Sequence, residues 1–121
     1  MIKKPEPIDL DNWTTQLRKG LLELCIINLL GEGEMYAYDL VKQLTRVQGI
    51  VVTEGTVYPL VSRLKRSGHV QTRLEESSSG PARKYYSLTP AGRRAREAMN
   101  AYWKDLAKGV NHLVESEGKD D

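Results

Sequence analysis

Residues 53–66 carry a cluster of polar side chains whose types suit the binding of a polar, negatively charged partner. Most of them bear a hydroxyl group, and two arginines lie in the second half of the segment. These residues are Thr53, Thr56, Tyr58, Ser62, Arg63 and Arg66. Hydroxyls donate and accept hydrogen bonds, and an arginine can hold a phosphate through two N–H donors. Gly55 has no side chain, so a partner can approach its backbone closely.

A second polar cluster follows in residues 77–84. Its candidate binding residues are Ser79, Gly80, Arg83 and Lys84. Residues 63–96 as a whole hold nine bases and two acids, a net charge of +7 in a chain whose total is +2. The last seven residues hold four acids and one base. This asymmetry favours a polyanion that meets one face of the protein, although a solvated helix-and-hairpin surface would give the same charge pattern.

The spacing of apolar residues predicts four helices and one hairpin around these clusters. Helical spacing covers residues 12–30, 36–47, 54–67 and 90–115. Strand alternation covers residues 70–75 and 83–88, on either side of a turn. We therefore expect a mainly α (α+β) fold: a winged helix-turn-helix with a two-stranded wing and a long C-terminal dimerisation helix.

Particular residues mark the ends and inner faces of these helices. Asp11, Thr53 and Thr89 are predicted as N-caps, and Gly68 as the left-handed terminator of the third helix. Pro59 is placed in the first turn of that helix, where a missing N–H has little or no partner to lose. The inward-facing residues of the second and third helices are expected to be Ala37, Leu40, Val41, Leu44, Val47, Val57, Leu60, Val61 and Leu64.

The length of 121 residues fits one compact domain with appended segments. We expect a flexible N-terminal arm and a DNA-binding domain, followed by a dimerisation helix and a disordered acidic tail. Their expected ranges are 1–10, 11–89, 90–115 and 116–121.

A triplet of helices followed by a hairpin can present its third helix to duplex DNA. The major groove is about 12 Å wide and admits one helix. The third helix would then contact bases and phosphates, while the hairpin would reach phosphates or a narrow minor groove. Tyr36 and Tyr38, at the start of the second helix, are further candidates for DNA contact. Each can place its hydroxyl on a phosphate or pack against a neighbour, and the sequence leaves both roles open.

The last helix also has a dimerisation pattern. Its apolar residues follow one another at spacings of four, three, four, four and three, which is close to a heptad seam. They are Ala95, Met99, Tyr102, Leu106, Val110 and Leu113. Trp13 and Leu17 add apolar surface on the first helix, and packing them on a partner's last helix is their simplest use. The alternative is that the last helix folds back on its own domain.

Three blocks of sequence resemble the PadR family of bacterial transcriptional regulators. The first is residues 36–40, the second is residues 56–64 with Gly68, and the third is residues 83–92. The resemblance covers about residues 13–113 and departs mildly at Ala37, Val57 and His69. It implies a homodimer that binds a pseudo-palindromic operator, usually as a repressor.

Within that family, the chain is similar to the short branch of multidrug-responsive repressors. This similarity implies that Trp103 lines a flat pore between subunits and stacks a planar aromatic cation, with Met99 and Trp13 as further ligand-binding candidates. Interface packing is the alternative role for Trp103.

Other functional classes find little support. Two histidines and one cysteine offer no metal-ligand spacing, and no glycine-rich phosphate loop or nucleophile motif occurs. We therefore expect no enzyme activity, cofactor or metal. The lack of a long apolar segment and of a signal peptide, with Cys25 as the only cysteine, favours a cytoplasmic protein without a membrane partner. The remaining alternative is a winged-helix protein-protein interaction module that does not bind DNA.

Overall fold

The computed structural model describes residues 4–50 and 52–116. Its elements, in chain order, are α1 (Leu10–Gly31), β1 (Met35–Tyr36), α2 (Ala37–Leu44), α3 (Glu54–Arg66), β2 (Val70–Ser77), β3 (Gly80–Leu88) and α4 (Pro90–Glu115). The strands form one antiparallel sheet in the order β1-β3-β2. The mixed α+β winged-helix architecture is therefore confirmed, and α4 has the length predicted for it.

Helix α1 begins two residues before its predicted start. Asp9 is the N-cap, because its Oδ1 accepts a hydrogen bond from the backbone N–H of Asn12 at 3.0 Å. The prediction that Asp11 caps this helix was therefore wrong: Asp11 lies in the first turn, where its carbonyl accepts from the hydroxyls of Thr14 and Thr15. Residues 4–9 precede the helix without regular structure, and residues 1–3 of the predicted arm lie outside the described residues.

The sheet has a third strand that the sequence did not indicate. Met35 pairs with Tyr86 and Tyr36 pairs with Tyr85, so the predicted start of the second helix is extended backbone. Helix α2 ends at Leu44 rather than at Val47, which is 38% exposed. A two-residue strand is too short to show alternation, and pairing with β3 supplies the hydrogen bonds that keep it extended.

Helix α3 ends where it was predicted to end, but its proline lies further from the start of the helix than predicted. Gly68 has a φ of +83°, and the N–H of His69 donates to the carbonyl of Leu64 at 2.9 Å, which closes the helix end. Pro59 is the sixth residue of α3 and therefore lies in the second turn, not the first. It removes the bond that an N–H at this position would donate to the carbonyl of Gly55.

A compact junction joins the end of α3 to the start of α4. Thr89 donates its hydroxyl to the carbonyl of Gly68 at 2.6 Å and accepts from the N–H of Gly92 at 3.0 Å, so the predicted N-cap is confirmed. A Cβ at Gly92 would overlap the carbonyl oxygen of His69. The glycine is therefore required for this close approach.

The core lies between the first three helices and the base of the sheet. Its buried members are Leu22, Ile26, Ile27, Leu30, Leu40, Leu44, Val57, Val61, Leu64, Val70 and Leu88. The inward face predicted for α3 is confirmed, with Leu60 only partly buried, while α2 buries Leu40 and Leu44.

A polar cluster fixes the crossing of α1 and α4. Asn28 Nδ2 donates to Asn100 Oδ1 at 2.8 Å, and Asn100 Nδ2 donates back to Asn28 Oδ1 at 2.9 Å. Arg96 Nε also donates to Asn28 Oδ1, at 3.0 Å. Partly buried amides that satisfy one another specify a single packing of two helices, since any other register would leave them unpaired. This cluster therefore sets where α4 leaves the domain.

Candidate nucleic-acid interface

The core orients α3 so that one row of its candidate residues faces outward. Val57, Val61 and Leu64 are buried on one side of the helix. Gly55, Ser62 and Arg66 lie on the opposite side and are exposed. A Cβ at Gly55 would meet the hydroxyl of Thr53 at 3.7 Å, an ordinary van der Waals contact, so no described residue requires a glycine there.

Two other candidates on α3 lie on the flank that faces α1. Arg63 Nη2 pairs with Glu23 Oε2 at 2.6 Å. Thr56 borders a cleft shared with α1, and its hydroxyl lies 3.3 Å from that of Thr53, which occupies the N-cap position. Thr53 has extended backbone but makes no side-chain capping bond. Arg63 is thus a cation already engaged by a carboxylate.

Tyr58 lies between the outer face of α3 and the sheet. Tyr58 as a whole residue is 37% exposed. Partial desolvation, and then the charge of Glu54, raise the pKa of the Tyr58 phenol above its ordinary value. A phenol is protonated at neutral pH even at its ordinary pKa, and this shift acts in the same direction, so the hydroxyl is a hydrogen-bond donor.

Tyr36 lies on β1, and its ring packs beside a ring of the neighbouring strand β3. Its ring centroid lies 6.1 Å from that of Tyr85, and the Arg83 guanidinium lies 5.3 Å above the Tyr36 ring. The Arg73 guanidinium lies 4.9 Å above Tyr85 and pairs with Glu34 at 2.5 Å. Two neighbouring rings, from β1 and β3, thus each have an arginine guanidinium over them. Tyr38 behaves differently: it is 51% exposed, and Lys42 Nζ lies 5.7 Å from its ring centroid.

The wing presents its two predicted cations on opposite faces. Arg83 is in register with Glu75, and Lys84 is in register with Leu74. Consecutive strand residues point to opposite sides of a sheet. Arg83 therefore lies on the Tyr36 face, whereas Lys84 lies on the other face. Ser79 and Gly80 are exposed at the tip, beside a register shift between Glu75 and Ser77.

An apolar groove lies between α1 and α4. Its lining residues are Gly20, Leu21, Leu24, Ala98, Met99, Tyr102 and Trp103, and its volume is about 360 Å³. The structure therefore brings together Met99 and Trp103, two of the three predicted ligand-binding residues. The third, Trp13, does not border this groove and is 56% exposed.

Beyond this groove, α4 leaves its own domain. Met99 and Ala95 pack against the core, but from residue 101 to residue 116 every residue except Ala107 is exposed. The exposed apolar members of the predicted seam are Tyr102, Leu106, Val110 and Leu113. Trp13 and Leu17 on α1 are exposed as well, Leu17 by 47%. Within the part of the chain that the structure describes, the C-terminal half of α4 thus does not fold back on the domain.

Comparison with known proteins identifies the family. The sequence model of one protein family, the "Transcriptional regulator PadR-like family", matches residues 26–98. The chain belongs to the PadR-like family. The match runs from the buried part of α1 to the packed part of α4, so it includes all of α3 and the wing. Trp103 and the exposed seam lie outside the matched residues.

Solved structures and a curated relative agree with this assignment. A PadR-like transcription factor from Bacteroides fragilis is 42% identical and has a TM-score of 0.71; the alignment covers 84% of this chain and 98% of that one. A PadR-like transcriptional regulator from Bacillus cereus is 35% identical with a TM-score of 0.77, covering 84% and 99%. Transcriptional regulator Rv3488 of Mycobacterium tuberculosis is 29% identical over 103 residues, which are 82% of this chain and 94% of that protein.

This PadR-family protein contains several polar contacts that sequence reasoning missed. Glu23 engages Arg63, and Glu34 engages Arg73, although about forty residues separate the members of each pair. No local pattern marks such pairs. Asn28 did carry a signal, since it interrupts an apolar run on α1, and it lies in the polar cluster with Asn100.

The described residues lack the features that a metal site, a reactive thiol or a membrane-spanning helix requires. Within residues 4–50 and 52–116, no group of three or more histidine, cysteine, aspartate or glutamate side chains is arranged to hold a metal ion. Cys25 is partly buried, and burial raises the pKa of its thiol, which keeps it protonated and weakly nucleophilic. None of the helices in the same residues is long and apolar enough to cross a membrane.

Proposed function

We propose that this PadR-family protein is a homodimeric, sequence-specific DNA-binding repressor that a small planar ligand releases from its operator. The outward row of α3 carries the proposal. Ser62 and Arg66 are exposed there, and no side-chain partner for either occurs among the described residues. Exposed donors on a rigid helix suit the edges of bases and the phosphates beside them.

The wing would add a second contact to each protomer. Arg83 is held against Tyr36, so its position is restrained before DNA arrives. Restraint lowers the entropy lost when a flexible side chain binds a phosphate. Lys84 and the small tip residues Ser79 and Gly80 are exposed and would approach the backbone from the other face of the hairpin.

Dimerisation would use the exposed seam of α4 together with Trp13 and Leu17. A two-fold axis places the same apolar surface of two chains in contact and presents two α3 helices at a fixed separation. A pseudo-palindromic operator would then match the symmetry of the protein.

Fluorescence anisotropy across a salt series tests DNA binding. The purified protein is titrated with labelled duplexes recovered by selection from genomic fragments. A dimer that neutralises about eight phosphates should give a slope of log K on log salt near −7. Arg83→Ala and Lys84→Ala, made together, should reduce both the affinity and the slope, with Lys104→Ala and Lys108→Ala on α4 as the charge-matched control. Absent or salt-insensitive binding would favour a protein-protein interaction module.

The apolar groove is the proposed effector site. Trp103 is 38% exposed and lines the groove together with Met99, so part of the indole is accessible to an aromatic ligand. A planar cation above it would gain about 0.5–2 kcal/mol from the cation–π interaction. Release from DNA requires that the ligand bind the DNA-competent and DNA-incompetent dimers with different affinities.

Tryptophan fluorescence tests the effector site. A Trp13→Phe variant leaves Trp103 as the only tryptophan. Titration with a panel of planar cationic dyes, proflavine among them, should quench its emission and lower the affinity for DNA. The Trp103→Phe variant is the matched control. It retains only Trp13, whose emission the dyes should quench weakly. Flat titrations over the panel would leave Trp103 with a packing role only.

A further inference from the structure

A cleft of about 300 Å³ separates α1 from the start of α3. Its floor is apolar and consists of Leu22, Ile50 and Val52. The cleft is distinct from the groove at Trp103, because it lies on the side of α1 that faces α3. It shares none of its lining residues with that groove.

The rim of the cleft is cationic. Arg18 and Lys19 project from α1, and the hydroxyl residues Thr15 and Thr56 complete the rim. Arg18 Nη2 donates to Thr15 Oγ1 at 3.3 Å, so one of its N–H groups is already oriented at the rim. Among the described residues, no carboxylate lies within ion-pairing distance of Arg18 or Lys19, and no acidic residue lines the cleft.

The neighbouring cation differs in this respect. Arg63 lies further along the same flank of α3, and Glu23 pairs with it at 2.6 Å. The Glu23 carboxylate neutralises the positive charge of Arg63, so α3 offers an anion no unpaired charge on the flank that faces α1. The free positive charge of the flank therefore belongs to α1, at Arg18 and Lys19.

We propose that this cleft binds an oxyanion, and that the oxyanion is a backbone phosphate of the DNA that α3 contacts. The inference rests on the proposed function and extends the DNA-binding surface onto α1. Thr56 belongs to the first turns of α3, so a duplex that receives this helix has a phosphate strand beside the cleft. Arginine and lysine supply the charge, and the Thr56 hydroxyl supplies a neutral donor when Thr53 donates in the contact between the two hydroxyls. The Thr15 hydroxyl already donates to the carbonyl of Asp11, so its part is to orient Arg18. A free phosphate or carboxylate presents the same chemistry.

The first test removes the two cations and measures DNA binding. Arg18→Gln with Lys19→Gln keeps helix-forming residues at both positions, and equal far-UV circular dichroism would show that the fold is retained. Each dimer has two such clefts, so the slope of log K on log salt should become shallower by about 2, and the affinity should fall about tenfold or more near 0.1 M salt. Lys104→Gln with Lys108→Gln removes the same charge from α4 and should leave the slope unchanged.

The second test uses the protein without DNA and separates the two sources of the anion. Thermal unfolding is followed with added inorganic phosphate or sodium benzoate, for the wild type and for both double variants. If DNA binding is unchanged but these anions raise the Tm of the wild type and not of Arg18→Gln/Lys19→Gln, the cleft binds a free anion. An unchanged slope together with equal Tm shifts in all three proteins overturns the proposal. If the wild-type protein binds no duplex DNA, the proposed function is refuted. The thermal unfolding measurements would then still decide whether the cleft binds an anion.

Discussion

The two halves of α4 have similar helical spacing of apolar residues but opposite surroundings. In the first half, Gly92 is buried, Ala95 and Met99 pack against the core, and Asn100 bonds to Asn28. In the second half, Tyr102 is 72% exposed and Leu113 is 71% exposed. One helix thus belongs to two structural units. Its first half completes the winged-helix domain, and its second half presents an apolar stripe that residues 4–50 and 52–116 do not cover.

In the proposed dimer, this difference separates the residues that stabilise the protomer from the residues that would join two protomers. Substitutions in the first half should change the free energy of unfolding of the domain itself. Substitutions in the second half should change association and, through it, DNA binding. Four changes test this division.

Leu106→Glu should have the largest effect, on association. It replaces a half-exposed apolar residue of the stripe by a charge, and two-fold symmetry introduces that change twice. We expect about 1,000-fold weaker dimerisation, or roughly 4 kcal/mol, by sedimentation equilibrium. Lys108→Glu introduces the same carboxylate off the stripe and should leave the dimer intact. If Leu106→Glu remains dimeric, the contact between protomers lies elsewhere.

Gly92→Ala should destabilise the domain by about 3 kcal/mol in urea unfolding. Its Cβ would overlap the carbonyl oxygen of His69, which is backbone and cannot turn aside. Gly109→Ala, in the second half, places a Cβ that meets no described atom within 4 Å apart from its own helix backbone, and it should stabilise the helix by up to about 1 kcal/mol. Equal effects of the two substitutions would contradict the division of α4.

Asn28→Ala should lower the free energy of unfolding by about 2 kcal/mol, since Asn100 and Arg96 would each lose their partner in a partly buried position. Asn12, exposed on the same helix, provides the control in Asn12→Ala. The altered crossing of the helices should also change Trp103 fluorescence. An Asn28→Ala protein as stable as the Asn12→Ala control would show that the amide cluster does not hold α4.

The smallest expected effect is a change in the pKa of the Glu34 carboxyl when Arg73 is replaced. Its hydrogen bond with Arg73 holds the pKa of the carboxyl below its usual value of 4.5. A lowered folded-state pKa contributes stability above the unfolded value, and that stability is lost as the pH falls through the folded value. Carboxyl NMR should therefore give a midpoint below 4.5 that rises in Arg73→Gln. Arg46→Gln should leave the midpoint where it is; an unchanged midpoint in Arg73→Gln would show that the pair does not persist in solution.

Much of the fold could be predicted because its signals are local. The spacing of Val57, Val61 and Leu64 defined the inner face of α3, and Gly68 and Thr89 marked the ends of two elements. The short strand β1 could not be predicted, since two residues carry no period and their pairing partner Tyr86 lies about fifty residues away. The predicted tail, residues 116–121, lies outside the described residues except for Ser116.

The candidate site divides in the same way. Residue types alone indicated the hydroxyls and arginines of α3 and the cations of the wing. Only the fold showed that Arg63 is paired with Glu23, that Arg83 and Lys84 lie on opposite faces, and that Tyr36 packs under Arg83.

Periodicity, capping and turn chemistry act over a few residues, so the amino-acid order determined the helices, the hairpin and the family of this protein. Contacts between residues about forty to seventy positions apart decide three further features. They decide which cation remains free, which apolar stripe remains exposed and where α4 crosses α1. Such contacts form only when the packed core brings distant segments together, and for that reason the tertiary structure alone decided them.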